Sequence, residues 1–216
     1  MRGFGMLLLT MSVLFTGCGM RNERMPIYVE PFYNSNPFKI AVGEYSSRLV
    51  TNSKSGLLSL SKEIKGRIDE VNIETLFVLA IRLYDVGLKD EASYWYYTAQ
   101  LRKNVFIKME DKATYRSNKG DYLQAFKELS GQWINGYSYG NTDKLAATLE
   151  QVIADNEDMS YIRNAYPNTY AFKPEEQQSA YIREQVDVIR EHITYIRENK
   201  EEIARIRKEN GMDGKY

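Results

Sequence analysis

Apolar residues recur three and four positions apart through most of the chain beyond Gly56, which predicts a protein built from amphipathic helices. The stripe is faint through Leu57, Leu60, Ile64 and Ile68 and strong through Ile73, Phe77, Ala80, Ile81 and Tyr84. Gly87 then supplies a stop, Asp90 is placed to cap the next helix, and Ala92, Trp95, Tyr96, Ala99 and Leu101 resume the pattern. Two helices joined by so short a turn make an αα-hairpin. Small Ala80, Ala92 and Ala99 let the axes approach while Tyr84, Trp95 and Tyr96 fill the space beside them, so these six residues are its expected core.

Farther along, the segment from Gly131 to Asn141 is rich in Gly and aromatic residues, which predicts a turn between two helices. Asn141 or Thr142 then caps a helix with Leu145, Leu149, Val152 and Ile153 on one face. Loops of this composition carry binding residues on a rigid scaffold or simply join helices. On the first reading Trp133, Tyr137 and Tyr139 are the candidate partner contacts. Tyr161 to Lys173 reads as a linker, and Pro174 suits the first turn of a final helix over residues 174–210. There Ile182, Val186, Ile189, Ile193, Ile196 and Ile203 follow a 4-3-4-3 spacing that Lys200 interrupts, and Tyr181, Val188 and Tyr195 form a second line seven apart. Such a seam packs on the domain's own hairpins or pairs two copies into a homodimer, and the first arrangement is preferred up to Ile196.

The beginning of the chain breaks the periodicity. Arg2 precedes an apolar run from Phe4 to Phe15, about a dozen residues, where a membrane-spanning helix needs roughly 20. This is the pattern of a secretory signal over residues 1–17. The residues Phe15-Thr16-Gly17-Cys18 resemble the lipobox of bacterial lipoprotein precursors, with Phe15 where Leu is usual. That resemblance implies cleavage before Cys18 and lipidation of its thiol, and Gly19 implies sorting to an outer membrane facing the periplasm. Cys18 is the sole cysteine, so no intramolecular disulfide competes for it. Residues 18–56, with Pro26, Pro31 and Pro37, read as the lipidated Cys, a tether and an irregular arm, and Tyr28, Phe32, Tyr33 and Phe38 suggest that part of the arm packs on the domain.

A second resemblance rests on Ala92-Ser-Tyr-Trp95-Tyr96-Tyr-Thr-Ala99, which looks like the second helix of Sel-one-like and tetratricopeptide repeats. Gly87 with Ala92 recurs as Gly120 with Ala125, a spacing close to the 34 residues or so of a tetratricopeptide. Gly120-Asp121-Tyr122 resembles that family's turn. Gln100-Leu101-Arg102, Ile134-Asn135-Gly136-Tyr137 and Lys144-Leu145 also resemble a set of uncharacterised bacterial proteins, a likeness that implies no activity.

Composition narrows the chemistry. Lys and Arg number 29 and Asp and Glu 29, so no net charge draws the chain to nucleic acid. The 17 tyrosines are packing material or contact surface. His192 is the sole histidine, flanking the Ile seam as a boundary residue, so a zinc site or a Cys-His dyad cannot be assembled from the mature chain, and no metal or cofactor is expected. Asp155-Asn156-Glu157-Asp158 lacks the Gly and Glu of a calcium loop. Among carboxylates, Asp85, Asp90, Glu91, Glu128 and Asp143 lie where helix ends and exposed faces want charge.

The expectation is an all-α chain of helical hairpins, residues 57–173, with a long amphipathic C-terminal helix. Its function is read as a lipid-anchored envelope protein, held to the membrane through Cys18, that binds a protein partner without catalysis. An immunity protein against a periplasm-delivered toxin is one form of this. An envelope assembly factor or a carboxylate-based glycan hydrolase are the alternatives.

Overall fold

The computed structural model describes residues 41–112, 119–157, 162–166 and 170–216. The signal segment, Cys18, and the aromatic residues Tyr28 to Phe38 lie outside the described residues. Within them, the starts of three helices carry side-chain caps. Ser53 Oγ accepts from Gly56 N at 3.1 Å and opens α2, Lys54–Gly66. Asn72 Oδ1 accepts from Thr75 N at 2.9 Å and opens α3, Ile73–Asp85. Asn141 Oδ1 accepts from Lys144 N at 3.0 Å and opens α6, Thr142–Ala154. Each cap satisfies one of the N–H groups that a helix start leaves without an internal partner. α4, Lys89–Met109, follows Gly87, which turns the chain at φ 81°. Leu88 holds the cap position there, so Asp90 is not the cap but a first-turn acid.

The expected irregular arm ends earlier than position 56. A 3-10 turn at Gly43–Tyr45 runs into α1, Ser46–Leu49, whose Leu49 is buried together with Tyr45. Arg82 on α3 ties this segment down by donating to Leu49 O at 2.9 Å and Asn52 Oδ1 at 2.8 Å while pairing with Asp85 at 2.7 Å. Asp85 is therefore not on an exposed face; its side chain is 3% exposed.

The segment from Gly131 to Asn141 also departs from expectation. α5 runs unbroken through Lys119–Ser138, and only Tyr139, Gly140 and Asn141 form the turn. Glycine inside a helix costs about 1 kcal/mol relative to Ala. Here the cost is offset by packing: a Cβ at Gly131 would stand 2.6 Å from Tyr96 Oη, and one at Gly136 would stand 2.6 Å from the ring of Tyr216. Gly120 and Asp121 likewise lie in the first turn of α5 and not in a turn between helices.

Tyr161 to Lys173, read as a linker, includes α7, Ile162–Ala165, and is docked in its described parts. Tyr166 and Phe172 pack on Phe106 with ring centroids 4.9 and 5.7 Å away, and Lys173 N donates to Met109 O at 2.9 Å. The final helix is two: after a 3-10 turn behind Pro174, α8 spans Gln178–Glu198 and α9 spans Lys200–Glu209. The break at Asn199 coincides with the interruption of the Ile seam at Lys200. Ile182, Val186, Ile193 and Ile196 are buried against the body of this same chain, chiefly α4 and α6, whereas Val188 and Tyr195 of the second line are 52% exposed.

The architecture is all-α, with α3 and α4 forming the tightest hairpin and α4 also touching α5, α6 and α8. α4 is buried on nearly every side, and Ala80, Ala92, Trp95, Tyr96 and Ala99 have no exposed surface. Most of its buried polar groups are met by neighbours, the Thr98 hydroxyl being the exception. Trp95 Nε1 donates to Ser61 Oγ at 2.7 Å, Tyr97 Oη to Asn135 Oδ1 at 2.9 Å, Tyr94 Oη to Asp155 Oδ2 at 2.8 Å, and Arg102 Nε to Asn156 Oδ1 at 2.7 Å. A second buried knot joins α3 to α5: Glu74 accepts from Tyr122 Oη and Tyr166 Oη at 2.6 Å each and pairs with Lys119.

Two stability outcomes follow. Trp95→Ala should cost about 3 to 5 kcal/mol through the cavity and the stranded Ser61 hydroxyl, lowering the thermal midpoint sharply; an unchanged midpoint would refute its core role. Glu74→Ala removes the acceptor shared by Lys119, Tyr122 and Tyr166 and should cost about 3 to 5 kcal/mol in urea unfolding. A loss below about 1 kcal/mol would mean that the knot does not hold α5 to α3.

Candidate functional site

The C-terminal half of α5 is where the structure gathers chemistry that the core does not consume. Trp133 and Tyr137 stand one helical turn apart and are both half-buried. Trp133 meets Tyr84 edge-on at 6.3 Å and Tyr216 edge-on at 6.0 Å. Tyr137 donates through its hydroxyl to Asp90 Oδ1 at 2.8 Å, and Asp90 also receives Lys144 at 2.6 Å. Burial pushes Asp90 upward, but the hydrogen bonds from Lys144 and Tyr137 and the Lys144 charge outweigh it and hold the carboxyl below its usual range. An acid held ionised in this way is unsuited to the general-acid role of a glycan hydrolase.

Tyr139 departs from the other two. Just past the end of α5 it turns toward α8, where its hydroxyl lies 2.7 Å from His192 Nε2, and His192 stacks on Tyr195 with centroids 6.4 Å apart. Burial lowers the His192 pKa and favours the neutral ring. The three candidate contacts therefore do not form one cluster. Trp133 packs between two rings, Tyr137 faces Asp90 and Lys144, and Tyr139 faces His192.

Two recesses lie on either side of a common wall. A polar one of about 290 Å³ is lined by Asp90, Ser93, Tyr137, Lys144 and Asp213, and an apolar groove of about 670 Å³ by Tyr96, Tyr139, Tyr195, Ile203, Ile206 and Met212. Gly136, Arg207 and Tyr216 line both. Arg207 is positioned by α9, where it follows Ile203 by one turn and faces inward with it. Its Nη1 donates to Gly136 O at 2.8 Å. That carbonyl belongs to the last turn of α5, whose carbonyls lack helical partners, so the guanidinium meets both an unsatisfied acceptor and the negative end of the helix dipole.

Arg207, Tyr195, Ile206 and Tyr216 escape a reading of the sequence, and so does the role of Gly136. Tyr195 is the partial exception, since it lies on the second seven-residue line of the C-terminal helix. The other acids singled out above are spread over the surface: Glu91 and Glu128 are exposed, and Asp143 pairs with Lys200. Among the described residues no group of three or more His, Cys, Asp or Glu side chains could hold a metal ion, and no helix is long and apolar enough to cross a membrane.

No family model matches the chain, and no solved structure matches it. Among curated proteins it is similar to an uncharacterized protein of Haemophilus influenzae, with 29% identity over 160 residues. The match covers 69% of this chain and 61% of that protein, so the chain spans about three-fifths of the length of the curated relative it matches.

Proposed function

We propose that this chain is a lipid-anchored protein of the bacterial cell envelope that binds a protein partner non-catalytically through the apolar groove between α5 and α9. The observation that carries the binding half is the groove itself. Its open surface is mostly apolar, with Lys127, Glu128, Gln132 and Asn135 along the α5 side, and Tyr195 and Ile206 in its lining are 52% and 42% exposed. Exposed apolar residues scattered singly are ordinary, but several converging on one concavity mark a contact surface. The anchoring half rests on the lipobox-like residues before Cys18, and the bacterial source of the similar protein agrees with that setting. A membrane tether raises the local concentration of the groove where an envelope partner passes.

Both halves are open to experiment. In the full-length protein, Cys18→Ala should abolish labelling by a fatty-acid analogue and release the protein from membranes in a high-salt wash; labelling that persists removes the anchor. For the groove, a photo-crosslinking phenylalanine derivative placed at Tyr195 or Ile206 in the bacterium that makes the protein should yield a discrete adduct with a second polypeptide. The same derivative at exposed Lys62 on α2 should not. Equal adducts at all three positions, or none at any, would end the groove reading.

A further inference from the structure

The wall between the two recesses is built unlike the rest of the surface. Beyond α9 the chain turns at Gly211, with φ 59°, and again at Gly214, with φ 74°, and this strap lays the Tyr216 ring flat against the backbone of Gly136. The fit depends on glycine: any Cβ at position 136 would come within 2.6 Å of the ring. Trp133 closes the slot from one side, its plane at 87° to the phenol. We propose that this slot is the anchor pocket of the groove, that it recognises an aromatic side chain of the protein partner, and that Tyr216 is its internal occupant. The inference rests on the partner-binding reading above and specifies what that partner presents.

Three observations carry it. First, the slot already holds a phenol ring in van der Waals contact, so its shape and chemistry for an aromatic guest are visible and not hypothetical. Aromatic residues seated in desolvated pockets dominate binding at protein interfaces. Second, little holds the occupant. The strap is made of short-range backbone bonds such as Met212 N to Arg207 O at 3.0 Å, and its Asp213 stands 3.7 Å from Arg207 Nε while remaining 66% exposed. A pair at that distance whose acid is open to solvent is weak. Third, Tyr216 lines both recesses, so its departure would open space to each of them beside α5.

The strap also supplies a template for the guest. An acid directed at Arg207 precedes by three positions a ring that sits on Gly136, so the matching partner segment carries a carboxylate three residues before a Tyr or Phe. Because the wild-type slot is occupied, its apparent affinity for a competing aromatic is reduced by the fraction of time the slot stands empty.

The test uses the full-length chain and two probes: p-cresol, and an acetylated peptide Asn-Gly-Met-Asp-Gly-Lys-Tyr that copies the strap. Binding is followed by calorimetry and by the change in tryptophan emission, with thermal unfolding as the check on folding. Tyr216→Ala should keep the parental unfolding midpoint to within a few degrees and bind both probes about tenfold more tightly than wild type. The peptide should lose affinity when its Asp is replaced by Asn. Adding Gly136→Ala to Tyr216→Ala should abolish the gain, since the new methyl fills the slot. Equal probe binding by wild type and Tyr216→Ala, no binding by Tyr216→Ala, or a gain that survives Gly136→Ala would each overturn the slot. These outcomes are separate from the crosslinking result: a slot that takes p-cresol in a protein that crosslinks to nothing would leave the pocket standing and remove the partner.

Discussion

Everything in this fold is arranged around a helix buried on nearly all sides that is not apolar. α4 carries Ser93, Tyr94, Trp95, Tyr96, Tyr97, Arg102 and Lys103 into the interior. A buried polar group without a hydrogen-bond partner costs about 1 to 3 kcal/mol, so seven such side chains left unmet would approach the whole stability of a domain this size. The surrounding helices are placed so that these seven are met, and only the Thr98 hydroxyl among the described buried side chains of α4 goes without a partner. α2 offers Ser61 to Trp95; α5 offers Ser138 to Ser93, the Lys127 carbonyl to Tyr96, Asn135 to Tyr97 and Gln124 to Lys103; the end of α6 offers Asp155 to Tyr94 and Asn156 to Arg102. Apolar contacts alone would let these helices slide by a turn, whereas directed hydrogen bonds admit one register.

That register explains the glycines of α5. For the Tyr96 hydroxyl to reach the Lys127 carbonyl at 3.1 Å, the helix must present no side chain at position 131. Position 136 is kept bare for a different ring, Tyr216, which the core does not need. The first glycine serves stability and the second serves the surface recess, yet both lie in one helix and carry the same intrinsic penalty. Arg207 joins the two roles, since by meeting the Gly136 carbonyl it closes the end of α5 and also fixes one wall of both recesses.

Much of the fold was legible in the sequence because it follows from period. The apolar stripes over Ile73 to Tyr84 and Ala92 to Leu101 give the α3–α4 hairpin, and the loss of the Ile seam at Lys200 marks where the last helix breaks. What escaped was information carried by distant partners. Gly131 to Asn141 has the composition of a turn, and nothing local reveals that Tyr96 and Tyr216 fill the space beside its glycines. Asp85 looks like a helix-end acid, and only Arg82 reaching toward residues 49–52 makes it an interior one. Glu74 sits within an apolar stretch and gives no sign of the Lys119, Tyr122 and Tyr166 that surround it from 45 residues onward. The recesses were half visible: composition picked out Tyr137, which lines one, and Tyr139, which lines the other, along with Trp133 beside them, but the residues that close them come largely from α8, α9 and the strap.

The distribution of cohesion over the molecule bears on where binding can occur. α4 and the helices that satisfy it form the part least able to open, whereas α9 turns away at Asn199 and is attached to the body chiefly by Ile203 and Arg207. Its remaining ion pairs, Arg205 with Glu202 and Glu209, are internal to the helix, and the Lys200–Asp143 pair that crosses to α6 is exposed. Pairs within a helix stabilise it as a helix without fixing its position. α9 is therefore a preformed element with few tethers, next to a strap with fewer still. Segments that rearrange on binding come from this low-cohesion end of a structure, because opening them leaves the core's hydrogen bonds intact. The apolar groove is bounded by α5, locked to α4, on one side and by α9 on the other. The groove thus has one wall locked into the core and one held chiefly by Ile203 and Arg207, which is the arrangement the binding proposal above calls for.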